Sequence, residues 1–442
     1  MSHFHPWVMW FFAVLFFSYQ FIMRVFLGLC GTEIMHKFQI DATDFGLLAS
    51  MYYYGYAGMQ IPIAVLLDRF GPRMVISLCC LVCSGSIFLF YWTDNWTLAL
   101  LARFLIGAGS AAGFLGTSKI VTLWFPFHHY SRMIGLSFSI GLLGAIYGGM
   151  PVGHLITLYG WENVLLIIGV AGLVLTGLLI LTIKPYKMSF LHEPPIFLKD
   201  FKSLLTMPSL LLLALANFLM VGSLEGFADV WGVPYLMTVY AFIKEDAAFI
   251  TSSIFTGMLF GGPILAYFAE KFKKSYQITA LCGLLMAGIF ALMLLSKGSL
   301  SHTSLAILMF IVGVLCCYQV LVFSIGTSLV SANLRNITVA FLNCINMLGG
   351  SFFHTTIGYL MDFFWLGQIL EGQRVYEAHA FGYALWIIPL TAFIGGAMVW
   401  LLRPVGKGSK RKQKVAEASQ LVRQKSMKIN AEFEAIENDP ER

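Results

Sequence analysis

The sequence predicts an all-α polytopic membrane protein of twelve transmembrane helices, arranged in two six-helix halves. Composition is the first indication, because hydrophobic residues make up 58% of the 442 residues and charged residues only 11%. A soluble core does not require that excess. The spacing of the apolar runs is the second indication, and a repeat between the halves is the third. Windows of about 20 residues, the length that crosses a bilayer, find twelve candidate helices. They cover 7–30, 46–67, 74–92, 97–124, 132–158, 163–183, 208–238, 247–268, 276–296, 303–329, 337–362 and 380–402.

The first candidate helix, 7–30, is too long for the core of a signal peptide and lacks a small-residue cleavage site, so we expect it to be retained. The eight cysteines lie almost wholly in apolar runs, without the paired C-x-x-C spacing of a zinc site, and predict small hydrophobic residues. The sequence has no Walker loop, H-E-x-x-H or G-x-S-x-G motif. We therefore expect no enzyme activity, no cofactor and no metal site.

The longest polar interruption before the tail divides the candidate helices six and six. We expect an N-terminal bundle at 1–184, a cytoplasmic linker at 185–207, a C-terminal bundle at 208–402 and a basic cytoplasmic tail at 403–442. With both termini inside, the cytoplasmic loops carry eleven Lys and Arg and the outer loops four, in agreement with the positive-inside bias. This pattern predicts a multi-pass protein of the inner (plasma) membrane, with a tail that contacts lipid rather than nucleic acid.

Two loops at corresponding positions of the halves share a pattern. The loop after the second helix reads AVLLDRFGPR, from Ala64 to Arg73, and the loop after the eighth reads AYFAEKFKK, from Ala266 to Lys274. Each has a small residue four places before an acid-base pair, at an offset of 202 residues. Parallel six-helix repeats around a site at the membrane midplane are an architecture of alternating-access carriers.

The first loop resembles the loop signature of the major facilitator superfamily, a Gly-x-Leu-Ala-Asp-Arg-x-Gly-Arg-Arg pattern. The matching residues are Asp68, Arg69, Gly71 and Arg73, while Ala64 replaces the first glycine. RFLIGAG, from Arg103, is similar to the family's fourth-span motif, and GLLGAIYGGMPVG is similar to its fifth-span motif. The proline of the latter is displaced, so the antiport associated with that motif is not carried over. The resemblance covers all twelve helices and implies the major facilitator fold and a transporter.

The same loops carry the residues expected to gate the carrier at its cytoplasmic face, namely Asp68, Arg69, Arg73, Glu270 and Lys271. Asp68 and Glu270 end even-numbered helices, where a carboxylate can meet a neighbouring helix N-terminus or a loop arginine. Such contacts would hold the halves together, and their breakage would belong to the conformational cycle. The alternative is that they are interfacial charges that set the topology.

Ionisable groups at membrane depth are costly unless they are paired or wet, so they mark candidate sites. Arg24 shares one stripe of the first helix with Gln20 and Gly28, at steps of four residues. Its guanidinium offers a planar fork of donors for a carboxylate or phosphate. We therefore predict that Arg24 and Gln20 bind the substrate. A structural salt bridge, or snorkelling to the outer surface, is the alternative.

The seventh helix supplies the opposite charge, with Asn217, Glu225 and Asp229 along one stripe. It is the repeat mate of the first helix, since Gly28 matches Gly232 at an offset of 204 residues. Arginine and carboxylates are therefore expected to face each other across a central cavity, where a carboxylate can also carry a proton. Glu225 and Asp229 are both predicted to act in coupling. Glu225 is favoured for substrate binding as well as coupling, because Asp229 lies nearer the outer end and is expected to be more solvated.

Other polar residues at membrane depth extend this predicted site. Arg103 matches the fourth-span motif and is predicted to act in coupling. Lys119 lies about 160° around an ideal helix from Arg103, so the two face one cavity only if the helix bends. Asn346 and His354 belong to a stripe of polar and small residues in the eleventh helix and are predicted to contact substrate. A packing role is the alternative for His354, because a lone histidine is more often a satisfied packing residue.

Three stretches narrow the resemblance: FIMRVFLG, LLASMYYYGYAGMQIPIAVLLDRFGPR and LEGFADVWGVPYL. They resemble bacterial carriers related to the lysosomal dipeptide transporter and, more loosely, organic anion carriers that also place an arginine in the first span. This resemblance implies a secondary active or facilitative carrier of a small carboxylate-bearing solute, with dipeptides or amino acids favoured. Transport of sugar acids or other organic anions, and export of drugs or metabolites, are the alternatives. Proton coupling and uniport both stay open, and we expect a monomer in the lipid bilayer.

Overall fold

The computed structural model describes residues 4–185, 202–331, 334–370 and 372–402. Met1–Trp400 forms one compact unit. The second unit, Leu401–Arg442, lies almost wholly outside the described residues. Most of the predicted linker and the whole predicted tail fall in the gaps, so both stay predictions.

Helices account for both halves of the compact unit. The first half consists of Phe4–Leu29, Gly31–Phe38, Ala42–Trp92, Trp96–Ser110, Ala112–Trp124, Tyr130–Gly148, Met150–Tyr159 and Trp161–Thr182, with a 3-10 turn at Phe127–His129. The second half consists of Pro208–Met220, a π-helix at Ser223–Trp231, Gly232–Val239, Lys244–Phe272, Ser275–Leu295, His302–Cys316, Tyr318–Ser328, Arg335–Phe363, Ala378–Ala384 and Ile387–Leu402. Strands Ile369–Leu370 and Gln373–Arg374 pair antiparallel in the connection before the last span.

Within the described ranges, eleven helices are long and apolar enough to cross a membrane. One of them, Ala42–Trp92, is 51 residues long and contains two spans, because Gly71 has non-helical torsion angles of φ 78° and ψ 164°. Glycine adopts this positive φ without steric cost, and Pro72 suits the start of the helix that follows. The predicted twelve spans are therefore confirmed, and they are numbered 1 to 12 in chain order below.

Alternation of the spans places their connections on two faces of the molecule. The turn at Gly71 and the start of span 1 lie on the same face, which is called the Gly71 face. The opposite face carries the short helix Gly31–Phe38 and the hairpin before span 12, and is called the Asp362 face. Positive charge in the loops predicts that the Gly71 face is cytoplasmic.

Glycines bring the backbones of the two halves into direct contact. A Cβ on Gly28 of span 1 would lie 2.6 Å from the carbonyl oxygen of Asp229 in span 7. Between spans 2 and 11, a Cβ on Gly358 would collide with the carbonyl of Ala42, and one on Gly350 would lie 2.6 Å from the Tyr53 ring. Since small residues allow such approach between membrane helices, these glycines set the seams that join the halves.

Candidate substrate and coupling site

Arg24 lies between the halves in a buried ionic cluster. Its Nε donates a hydrogen bond to Asp229 Oδ2 at 2.6 Å, and its Nη2 donates to Glu225. Arg24 is 8% exposed, and each carboxylate residue is 1% exposed. Charges so far from water persist only when paired and hydrogen-bonded, so the pairing holds span 1 of one half against span 7 of the other.

Tyr53 of span 2 completes the cluster. Its hydroxyl group contacts both Glu225 Oε2 and Asp229 Oδ2, and its ring centre lies 5.3 Å from the guanidinium carbon of Arg24. A phenol has one hydrogen and can donate it fully to only one carboxylate oxygen. The second contact becomes a hydrogen bond when the other carboxyl group carries a proton and donates it to the phenol oxygen. One such proton would make the sum of the Arg24, Glu225 and Asp229 charges zero.

Span 7 presents both acids from a π-helical stretch. Ser223–Trp231 is a π-helix between two α-helical segments, and all nine of its residues are buried. Such stretches are rare and are often found at functional sites. The glycines of span 7 predict a bend, and the structure shows their local use: a Cβ on Gly222 would lie 2.6 Å from the Phe353 ring. The missing side chain therefore lets span 11 pack closely against the π-helix.

Asp229 differs from the expectation that it is more solvated than Glu225. It is buried to the same extent and bonds the same guanidinium. The expectation is wrong because the turn of span 7 that carries Asp229 is covered by Gly28 of span 1, which removes water from it.

His354 lies behind Glu225, against the backbone of span 7. The residue is 0% exposed. Its Nε2 lies 2.6 Å from the carbonyl oxygen of Glu225, and a carbonyl only accepts, so Nε2 is the donor. Within the described part of the chain Nδ1 has no hydrogen-bond partner. The imidazole also meets the Tyr53 ring edge-on, with the ring centres 5.1 Å apart.

The other predicted contact residues form a layer around the cluster. Gln20 Oε1 accepts a hydrogen bond from the Tyr52 hydroxyl at 2.6 Å. Arg103 Nη1 donates to the carbonyl of Met23 at 3.1 Å, and its guanidinium carbon lies 5.3 Å from the Tyr52 ring centre. Asn346 is buried, and its Oδ1 has no partner among the described residues. Gln20 and Arg103 are therefore linked through Tyr52, beside Arg24.

The predicted gating residues lie apart from this cluster, on the Gly71 face. Asp68 bonds Lys119 Nζ at 2.7 Å, within its own half, and the Asp68 side chain is 64% exposed. Arg69, Glu270 and Lys271 are exposed, and Arg73 is partly buried. The structure thus gives Asp68 a partner in span 4 rather than in the opposite half, while the gating role itself stays a prediction.

Sequence reasoning missed a second contact between the halves, centred on Asp362. The carboxylate of Asp362 accepts from the Thr43 backbone N–H at 2.8 Å, the Thr43 hydroxyl at 2.5 Å and Arg374 Nη1 at 2.9 Å, and it also contacts the Tyr376 hydroxyl. Tyr376 Oη accepts in turn from the N–H of Ala42 at 2.9 Å. Burial and the bond to Asp362 raise the pKa of Tyr376. Asp362 at the end of span 11 and Tyr376 beyond it therefore satisfy two of the free N–H groups that begin span 2.

The family comparison agrees with this architecture. The family model described as Major Facilitator Superfamily matches residues 10–354. The chain belongs to this superfamily. The described helices agree with the multi-pass membrane architecture that the sequence predicts, in a superfamily of transporters rather than enzymes.

Curated relatives match the chain over part of its length. The uncharacterized transporter YybO of Bacillus subtilis is 33% identical over 153 residues, which are 35% of this chain and 35% of YybO. The probable galactarate/D-glucarate transporter GarP of Escherichia coli is 31% identical over 161 residues, 35% of this chain and 36% of GarP. The alignments thus span about a third of each of these relatives.

Solved structures match the fold over nearly the whole chain. A bacterial homologue of the human lysosomal transporter Spinster, inward-facing and occupied, superimposes with a TM-score of 0.71 at 18% identity, covering 91% of this chain and 97% of that one. The nucleoside transporter NupG gives a TM-score of 0.73 at 13% identity, covering 90% and 100%. At these identities the likeness establishes the fold alone.

Proposed function

We propose that this carrier moves a small organic anion of the sugar-acid class through the membrane by alternating access, with a proton as the coupled ion. The observation that carries the proposal is the buried cluster in which Arg24 of one half is held by Glu225 and Asp229 of the other. A guanidinium at membrane depth is the natural contact for a carboxylate, and here it lies at the junction that alternating access must open and close.

The comparisons favour sugar acids over the dipeptide or amino acid that the sequence resemblance favours. Relatives are named as a probable galactarate/D-glucarate transporter, a putative tartrate transporter and a probable sulfoacetate transporter. These compounds are all small anions without an amino group. A cationic group on the substrate is therefore not needed to explain Glu225 and Asp229, which leaves both acids available for coupling.

The proton has a defined task in this scheme. A substrate carboxylate that binds the Nε–Nη2 edge of Arg24 replaces Glu225 or Asp229 there. Protonation of one acid removes its charge and weakens its bond to the guanidinium, so that the substrate becomes the better partner. Tyr53 keeps the protonated acid hydrogen-bonded. Symport follows, because the anion and the proton each favour the arrangement that admits the other.

Other site residues fit a polyhydroxylated anion. Gln20 and Asn346 carry amide groups that can form hydrogen bonds with hydroxyl groups. Arg103 packs against the Tyr52 ring, and Tyr52 in turn bonds Gln20, so Arg103 helps to position Gln20. We further propose that the bundles at 1–184 and 208–402 move as the two alternating bodies. The carrier is proposed to act as a monomer in the inner membrane, with both termini in the cytoplasm.

The test is uptake into proteoliposomes. Wild-type protein should accumulate radiolabelled D-glucarate when the outside is acidified, and excess tartrate should compete whereas a neutral dipeptide should not. Arg24→Lys, which keeps the charge but loses the fork, should lower uptake at least tenfold. Arg132→Gln, at an exposed arginine away from the site, is the matched control and should transport normally. Saturable uptake of dipeptides without uptake of any sugar acid would overturn the proposal.

A further inference from the structure

The π-helix of span 7 needs an external support, because its hydrogen bonds alone do not favour it over an α-helix. π-Helical geometry is rare and usually limited to a single turn, whereas Ser223–Trp231 extends over nine residues. The stretch contains both acids of the buried ionic cluster, Glu225 and Asp229. Whatever stabilises its register therefore also fixes the directions in which Glu225 and Asp229 point.

One residue of span 11 contacts the π-helix near both of its ends. His354 Nε2 donates to the carbonyl of Glu225 at 2.6 Å, near the start of the stretch. At the other end, Trp231 Nε1 donates to the carbonyl of His354 at 3.3 Å. Side chain and backbone of His354 thus bridge the two ends of the segment.

Packing by the preceding residue reinforces this bridge. The Phe353 side chain fills the space that Gly222 and Gly226 leave open, where added Cβ atoms would lie 2.6 and 3.0 Å from it. An α-helical register would move Gly226 and the Glu225 carbonyl away from their present partners. The contact surface of span 11 is therefore specific for the π register.

The environment of His354 does not suit direct contact with substrate. Its Nε2 hydrogen is committed to a carbonyl, which cannot return a proton, and the residue is wholly buried. Its contacts with the cluster run through the backbone of Glu225 and the edge of the Tyr53 ring. A role through Glu225 fits these contacts better than the substrate contact that the sequence predicts.

We propose that His354 is a positioning residue for coupling: its Nε2–H bond holds span 7 in the π register that directs Glu225 and Asp229 together at Arg24 and Tyr53. The proposal rests on the proposed function in taking these acids as the proton site. Without the bond, the stretch relaxes toward an α-helix and the two carboxylates no longer converge. Substrate movement then continues with fewer protons per anion.

The test uses two amide side chains that place the N–H donor at different distances from the backbone. His354→Gln places an N–H at about the position of Nε2, whereas His354→Asn places it nearer the backbone, at about the position of Nδ1. The ratio of proton flux to D-glucarate flux should be normal in the glutamine variant and at least halved in the asparagine variant. A purely structural role would lower both fluxes in proportion and leave the ratio unchanged.

A second readout needs no substrate. Infrared difference spectra of the purified carrier during a pH step report the hydrogen bonding of carboxyl groups, and Glu225→Gln assigns the Glu225 band. The band should shift in His354→Asn and stay in place in His354→Gln. If no sugar acid is transported but the band follows donor position, the proposed function fails and the positioning role stands.

Equal behaviour of the two amide variants in both readouts overturns the proposal. Should the asparagine variant fail to fold, Trp231→Phe replaces it, since it keeps an aromatic ring but removes the longer bond to the His354 carbonyl. It should shift the Glu225 band in the same direction by a smaller amount. An unmoved band in that variant also contradicts the proposed register control.

Discussion

Replacement of Asp362 by asparagine should loosen the Asp362 face. Every group around this carboxylate is a donor: the N–H and hydroxyl of Thr43, Arg374 Nη1 and the Tyr376 hydroxyl. An amide has the same shape but offers only one acceptor oxygen and turns an NH₂ group toward the other donors. Asp362→Asn must therefore weaken either the bonds to Thr43 or those to Arg374 and Tyr376.

The size of the effect follows from which of these bonds join the halves. Arg374 and Tyr376 belong to the same half as Asp362, so among the bonds of Asp362 itself only those to Thr43 break when the halves separate. The bonds between Tyr376 and Ala42 and between Arg374 and Asp41 also join the halves, but they do not involve the substituted carboxylate. Hydrogen bonds to a charged group contribute about 1.5–3 kcal/mol, and a helix N-cap about 0.5–2 kcal/mol. The Asp362 side chain is 13% exposed, so water offsets part of the loss. A net change of about 2 kcal/mol corresponds to roughly a 30-fold shift toward the form open at this face.

Distance measurements between spin labels can detect such a shift. Asp94 and Lys297 lie in exposed turns of the first and second halves on the Asp362 face, and each can be replaced by a labelled cysteine. Cys79 and Cys344, which are partly exposed among the native cysteines, are changed to serine beforehand. Pulsed electron paramagnetic resonance should show a longer-distance population that grows in Asp362→Asn and, to a smaller extent, in Tyr376→Phe.

Glu162→Gln provides the control for general charge effects at the same face. Glu162 pairs with Lys37 at 3.4 Å within the first half, so its loss should leave the distance between the halves unchanged. If Asp362→Asn shifts the distribution no more than Glu162→Gln does, the bonds to Thr43 do not hold this face closed and the reasoning fails.

Three further variants test the central cluster and its seams. Glu225→Gln should abolish proton-driven accumulation of D-glucarate while counterflow exchange persists, as measured in loaded proteoliposomes; accumulation at the wild-type level would remove Glu225 from the coupling step. Tyr53→Phe leaves both acids without the phenol and should lower the proton-to-anion flux ratio by about half; an unchanged ratio would show that the phenol is dispensable. Gly28→Ala would put a Cβ 2.6 Å from the carbonyl of Asp229, so the spin-label distances should lengthen as in Asp362→Asn, and unchanged distances would show that the seam can adapt.

Much of the fold could be read from the sequence because it depends on local properties. Apolar runs of sufficient length define the spans. The turn at Gly71 depends on the positive φ of one glycine and not on distant contacts. The repeat register that matches Gly28 with Gly232 also placed Arg24 opposite the acids of span 7. The solved structures confirm the fold and the family model confirms membership of a transporter superfamily, whereas the site residues stay predictions.

Features that depend on distant partners could not be predicted in the same way. The π-helix in span 7 is only nine residues long, too short to produce a recognisable period in the sequence, and it depends on Phe353 and His354 of another span. Tyr53 was one of many aromatic residues at 15% of the chain, and only its position between two carboxylates distinguishes it. Asp362 ends a polar stripe that could be seen in the sequence, but its partners come from a loop and from the other half.

The pairing of Arg24 with acids of the opposite half has a consequence for the idle carrier. If the halves separated with both acids ionised and no substrate bound, a bare guanidinium would be left in a poorly hydrated space, at a cost of several kcal/mol. Under the proposed symport, the return of the empty, unprotonated carrier is therefore the step that this pair slows most. We therefore expect exchange, in which the carrier returns with substrate bound, to be faster than net uptake.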